Sequence, residues 1–127
     1  MEHHDLPTLL PTVPALCVTR ATTDDEAMET LRVLQPFNQC LLGLVRFAGL
    51  TPWERHPDGD ELLHVLAGRV EVTVLGDGAP ERTALAAGAV CVVPRGLWHR
   101  QHAPEGVALL FATPTANGET SWADDPR

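Results

Sequence analysis

A single all-β domain with one short N-terminal helix is the fold class this 127-residue sequence predicts. Three observations carry that reading. In 69–75 (RVEVTVL), Val70, Val72 and Val74 alternate with Arg69, Glu71 and Thr73, the period of a strand with one wet face. From residue 38 onward, short apolar runs follow one another at regular spacing, separated by Gly- and Pro-containing turns, as in antiparallel sandwiches and barrels. Helix signals, by contrast, are confined to one stretch near the N-terminus. The length suits one domain, which buries roughly two-thirds of its unfolded surface without needing disulfide or metal staples. A hydrophobic content of 44% with 20% charged residues fits a soluble globular chain.

Residues 1–16 carry Pro7, Pro11 and Pro14 and read as an extended arm, with the adjacent His3 and His4 solvated. Residues 23–34 read as the helix. Thr23 and Glu26 have capping-box spacing, Asp24 and Asp25 favour the first turn, Ala27, Leu31 and Leu34 share a face, and Pro36 ends the pattern. Strands follow at 38–47, 61–66 (ending at Gly68) and 69–75. After the hairpin turn Gly76-Asp77-Gly78, another strand leads to Gly88. The strand 89–93 then meets the turn Pro94-Arg95-Gly96, and two more follow at 97–102 and 107–112. This organisation divides the chain into an arm with helix over 1–37, a barrel over 38–115 and a polar tail over 116–127.

Charge and composition exclude several functions. The net charge of −8, from 17 acidic against 9 basic residues with no basic run, makes nucleic acid and anionic membranes poor partners. No apolar stretch approaches the ~20 residues of a membrane helix, and no basic segment leads into an apolar run and a cleavage site. Cys17, Cys40 and Cys91 are odd in number and contain no CxxC pair, which predicts a cytoplasmic chain, with Cys40 and Cys91 as buried, inert thiols. Ser121 is the sole serine, there is no GxSxG, and no glycine loop is arranged to cradle phosphate, so a serine hydrolase is excluded.

The chemistry concentrates in Trp53-Glu54-Arg55-His56-Pro57-Asp58-Gly59-Asp60-Glu61. Glu54 and His56 are two apart and share a face of an extended strand. The turn after His56 reverses the chain, and Glu61 opens the next strand, so these side chains converge. His99, just after a second turn, faces them from another hairpin. Imidazoles and carboxylates around one point suit a divalent transition metal. Around this set, His64 is expected on the opposite face of its strand from Glu61, and His102 off the face of His99 unless a bulge intervenes. Gln101 shares the parity of His99 and is expected beside the ligands. Asp58 and Asp60 suit turn hydrogen bonds. Trp53, Trp98 and Phe47 either line a pocket mouth or close the core, only one of Arg46 and Phe47 can point inward, and Arg95 is expected in solvent.

These residues resemble the two motifs of the cupin superfamily, small jelly-roll barrels also described as double-stranded β-helices. Gly88, five residues, Pro94, one residue, Gly96, two residues and His99 match the second motif in full. His56, four residues, Glu61, six residues and Gly68 match the second half of the first. The resemblance spans roughly residues 38–112. It departs at Glu54, where the family usually has histidine, and at Gly49, which lies five rather than six positions ahead of Glu54. Carried over, it implies the metal ligands Glu54, His56, Glu61 and His99 for Fe, Mn, Ni, Zn or Cu. Glu54 either ligates through oxygen or turns outward to pair with Arg55 or another arginine. In the latter case three ligands remain, or the site is degenerate and the barrel binds a small ligand directly.

The resemblance leaves two function classes. One is a metal-dependent enzyme, such as a dioxygenase, isomerase or lyase, acting on a small organic molecule. The other is a non-catalytic small-ligand or metal-sensing module. The absence of tyrosine excludes sugar epimerases that pair a histidine base with a tyrosine acid, and thiol dioxygenases with a cysteine–tyrosine crosslink. The lack of a second domain to receive a signal weighs against the sensor. Exposed β edges and the apolar arm at 6–18 predict a homodimer.

Overall fold

Strand β8 (Trp98–Pro114) is the spine of the molecule, which a computed structural model describes over residues 1–127. One edge of β8 pairs antiparallel with β5 (Glu61–Leu75) from Leu62↔Ala112 to Leu75↔Trp98. Its other edge pairs first with β3 (Cys40–Leu50) and then, beyond a break at Thr51-Pro52, with β4 (Trp53–Arg55) through Glu54↔His99. On the far edge of β5 lie β6 (Glu81–Ala86), opposite its second half, and β7 (Val90–Val93), opposite its first. The inward faces enclose a core of Phe47, Leu63, Val65, Val70, Val72, Leu85, Val93, Ala103, Val107, Leu109 and Phe111. The result is the expected all-β, jelly-roll arrangement.

The segments flanking 38–115 join this sheet. Ala15–Val18 forms β1, parallel to β3, and Arg32–Phe37 forms β2, antiparallel to it. Glu119–Ser121 forms β9 against β4. The arm is not simply extended: Leu6–Leu9 makes a one-turn helix, α1, with proline in its first turn, followed by a 3-10 turn at Leu10–Thr12. A single N-terminal helix therefore becomes two short ones. The second, α2, spans Asp24–Thr30 and keeps the predicted capping box at Thr23 and Glu26. It stops short of residue 34 because Leu31 turns extended (ψ 140°) and Leu34 lies in β2. Backbone pairing along β3 outcompetes one further helical turn that would bury little.

Two pairs of expected strands are each one continuous strand. The sequence signal for a break at Gly68 marks a bend within β5, where register shifts separate Val65/Ala67 and Gly68/Glu71. Gly106 (φ 99°) lies within β8, between the two strands expected there. Gly68 has φ 77°, and a Cβ there would fall 2.3 Å from the Gly106 carbonyl oxygen. Gly68→Ala is therefore expected to cost more than about 2 kcal/mol, from left-handed strain and backbone displacement together. Gly78→Ala, with nothing within 4 Å, should stay within about 1 kcal/mol of wild type. Urea unfolding of the two variants checks the contrast.

Candidate metal centre

Two hairpins are tied together before any ligand is considered. The Asp60 carboxylate accepts the Arg95 backbone N–H (2.8 Å), and the Gly96 N–H donates to the His56 carbonyl (3.0 Å). The acidic turn 57–60 thus clamps the Pro94-Arg95-Gly96 turn, fixing where β5 and β8 begin. Asn117 donates to Asp58 (2.8 Å), and the backbone at Gly118 packs against the His56 ring. Asp58 and Asp60 serve the turns as expected, but by joining them to other segments.

On this frame Glu54, His56, Glu61 and His99 each present one ligand atom, all within 4.8 Å of one another. His99 Nε2 lies 3.0 Å from Glu61 Oε1 and 3.4 Å from Glu54 Oε1. His56 Nε2 lies 3.2 Å from Glu61 Oε2 and 4.0 Å from Glu54 Oε1. Donors held about 2.1 Å from a common ion stand about 3–4 Å apart, so the spacing fits one metal. The chemistry of the set fits too, with two imidazoles and two carboxylates. His56 is buried as well, its Nε2 facing the Glu61 carboxylate and its Nδ1 without a hydrogen-bond partner in the chain.

Neighbouring groups orient the donors. His99 Nδ1 meets the Leu97 carbonyl at 3.2 Å; as an N–H donor there, it leaves Nε2 facing the cluster. The Thr113 hydroxyl donates to Glu61 Oε2 (2.7 Å). Thr113 escaped sequence reasoning because it stands at the end of β8, 52 residues from Glu61, and threonine there carries no signal of its own.

Charge and burial set the protonation states without metal. Burial alone would lower the pKa of His99, but hydrogen bonds to Glu54 and Glu61 and their charges outweigh it and raise the pKa to about 10. Burial alone would raise that of Glu61, yet contacts from His56 and His99 bring it down to about 2. His56 is raised as well, burial being outweighed by the Glu61 carboxylate and then by Glu54. Glu61 and His99 are 3% and 0% exposed, whereas the Glu54 side chain keeps 30% of its surface. The cluster opens to solvent on the Glu54 side.

Glu54 does not turn outward to an arginine; Arg55 pairs with Glu119 instead. Gln101 is buried with Oε1 unpartnered, two residues from His99 on the same face. His64 is half-buried and His102 exposed, and neither belongs to the cluster. The aromatics do not line the mouth of the metal cluster. Trp53 and Trp98 flank Glu54 and His99 in sequence and so lie on the opposite face, beneath Arg100 and Arg55 respectively, while Phe47 is in the core. Arg46 points away from Phe47 and donates to the Val13 carbonyl, and Arg95 is exposed. Cys40 and Cys91 are half-buried rather than fully buried, and no cysteine forms a disulfide. No helix is long and apolar enough to cross a membrane.

Comparison with known proteins agrees with this architecture. A germin-like protein 3-8 from Oryza sativa subsp. japonica is 36% identical over 87 residues, covering 61% of this chain and 39% of that protein. The chain thus spans about two-fifths of that relative's length. The crystal structure of protein NMB1881 from Neisseria meningitidis superposes with a TM-score of 0.68 at 19% identity, covering 90% of this chain and all of that one. Hydroquinone 1,2-dioxygenase PnpCD, solved in complex with Cd2+ and 4-hydroxybenzonitrile, gives a TM-score of 0.58 at 22% identity over 68% of this chain and 64% of that one. At such identities the structural likeness is one of fold. The cupin domain model matches residues 43–112, more than half of the sequence and including all four clustered side chains; with the second motif complete, the second half of the first present and the jelly-roll strand order in place, the chain belongs to the cupin family.

Proposed function

We propose that the chain holds one divalent transition metal ion through His56, Glu61, His99 and Glu54 and acts on a small organic molecule bound beside it, with oxygen-dependent oxidation the first reaction to test. The observation that carries this reading is the donor cluster itself, buried at Glu61 and His99 and open at Glu54. Such an ion, when bound, supplies Lewis-acid or redox chemistry. The chain's own residues do the rest. The Leu97 carbonyl and Thr113 hydroxyl hold His99 and Glu61 in orientation, and the apolar core excludes water behind them. Glu54 stands at the open side, where its carboxylate can ligate or accept a proton from an incoming hydroxyl. A dioxygenase sharing the fold and solved with a metal and a phenolic nitrile supports this choice.

Oxygen uptake by iron-loaded protein over a panel of phenols and small acids tests the reaction. Uptake with at least one substrate, lost in His99→Ala, is expected. Metal bound without turnover by any member would favour the ligand-binding or metal-sensing module instead. Glu54→Gln separates the roles of the fourth carboxylate: metal stoichiometry should persist while affinity falls by about tenfold or more. Unchanged affinity in competition with a chromogenic chelator would remove Glu54 from the ligand set.

The reading includes a cytoplasmic homodimer. Strand β7 is an edge, and its Val90 and Val92 are each 54% exposed, an apolar edge suited to pairing. Light scattering that gives a monomer at micromolar concentration would remove the dimer.

A further inference from the structure

The face of β4 and β8 turned away from the metal cluster carries a second cleft, of about 170 Å³. Trp53 and Arg100 line it, directly behind Glu54 and His99 in the paired strands, together with Leu50, Arg20, Trp122 and Asp124. Each arginine lies over an indole, with the Arg100 guanidinium carbon 4.3 Å from the Trp53 ring centre and that of Arg20 5.1 Å from the Trp122 ring. The arginine side chains that find hydrogen-bond partners in the chain are Arg46, Arg55 and Arg127; those of Arg20 and Arg100 find none. Stacking holds a guanidinium by its face and leaves the N–H fork on its rim free. Trp53 is 3% exposed, and its Nε1–H is buried without an acceptor in the chain. Two guanidiniums with free N–H groups thus line one cleft.

We propose that this cleft binds a small planar organic carboxylate. Two arginines against Asp124 leave a net charge of about one positive unit, which matches a monoanion rather than a phosphate dianion. The planar forks match a carboxylate bidentately, and Leu50 and the partly exposed Trp122 offer apolar wall for its body. This site is separate from the metal centre and does not depend on that centre's proposed function.

Two of the protein's three tryptophans line the cleft, so intrinsic fluorescence reads it directly. Chelator-treated, metal-free protein is titrated with benzoate, benzamide and inorganic phosphate. Saturable quenching by benzoate is expected, with the same midpoint in Arg82→Gln, an exposed arginine outside the cleft. In the Arg20→Gln, Arg100→Gln double variant the midpoint should rise at least about tenfold, the loss of one charge-assisted pair. Benzamide should not saturate. If the double variant loses its native circular dichroism, the exposed Arg20→Gln alone should still raise the midpoint about threefold or more. An unchanged midpoint in the arginine variants, no saturation by benzoate, or tighter saturation by phosphate would overturn the proposal.

Discussion

Glu61→Gln is expected to destabilise the metal-free protein by about 3 kcal/mol at neutral pH and to abolish tight metal binding. Glu61 is the carboxylate nearer to both imidazoles, at 3.2 Å and 3.0 Å, and it is 3% exposed. Its loss leaves the fully buried His99 with only the half-exposed Glu54 as a counter-charge, and breaking one side of a buried ion pair typically costs about 3–5 kcal/mol. Glutamine keeps the volume and an acceptor for Thr113, so the loss reports on charge. The effect has a pH signature. His99 is raised from an ordinary 6.5 to about 10, so its contribution is complete below pH 6.5 and disappears as pH rises through 10. Glu61 is lowered from 4.5 to about 2, so its contribution is complete above pH 4.5 and disappears as pH falls towards 2. Wild type should therefore exceed Glu61→Gln most between pH 4.5 and 6.5, the gap closing in both directions. Chemical denaturation of chelator-treated protein across pH measures this; a constant gap would contradict it.

Metal uptake at neutral pH is expected to release at least one proton per ion, and apparent affinity should rise about tenfold per pH unit for each proton displaced. Without metal, His99 is protonated at pH 7 because its pKa is raised to about 10, whereas a ligand imidazole must be neutral. Glu61, already ionised, contributes no proton. Calorimetric titrations in two buffers of different ionisation enthalpy count the protons directly. Binding with no proton release at pH 7 would mean that His99 is not a ligand.

The site was legible in the sequence to the extent that local spacing places residues on a face. Glu54 and His56 share strand parity, Glu61 follows the acidic turn, and His99 follows Pro94-Arg95-Gly96, so their convergence needed only two hairpins side by side. Their partners were not legible. Thr113 meets Glu61 across 52 residues, and the Leu97 carbonyl carries no side-chain signal at all. Parity also contained the answer for Trp53 and Trp98, since each neighbours a member of the cluster and so points the other way. In the fold, turn residues marked the bends faithfully, but Gly68 and Gly106 bend strands without ending them, Gly68 lying close against the Gly106 backbone. The arm at 15–18 and the strand after α2 pair with β3, a long-range choice that composition does not encode.

Metal content by mass spectrometry, on untagged wild type and on a His56→Ala, His99→Ala double variant, tests the central claim most directly. About one transition-metal ion per wild-type chain and none in the variant is the predicted result. No metal in wild type after incubation with Fe, Mn, Ni and Zn, or equal metal in both proteins, would contradict it.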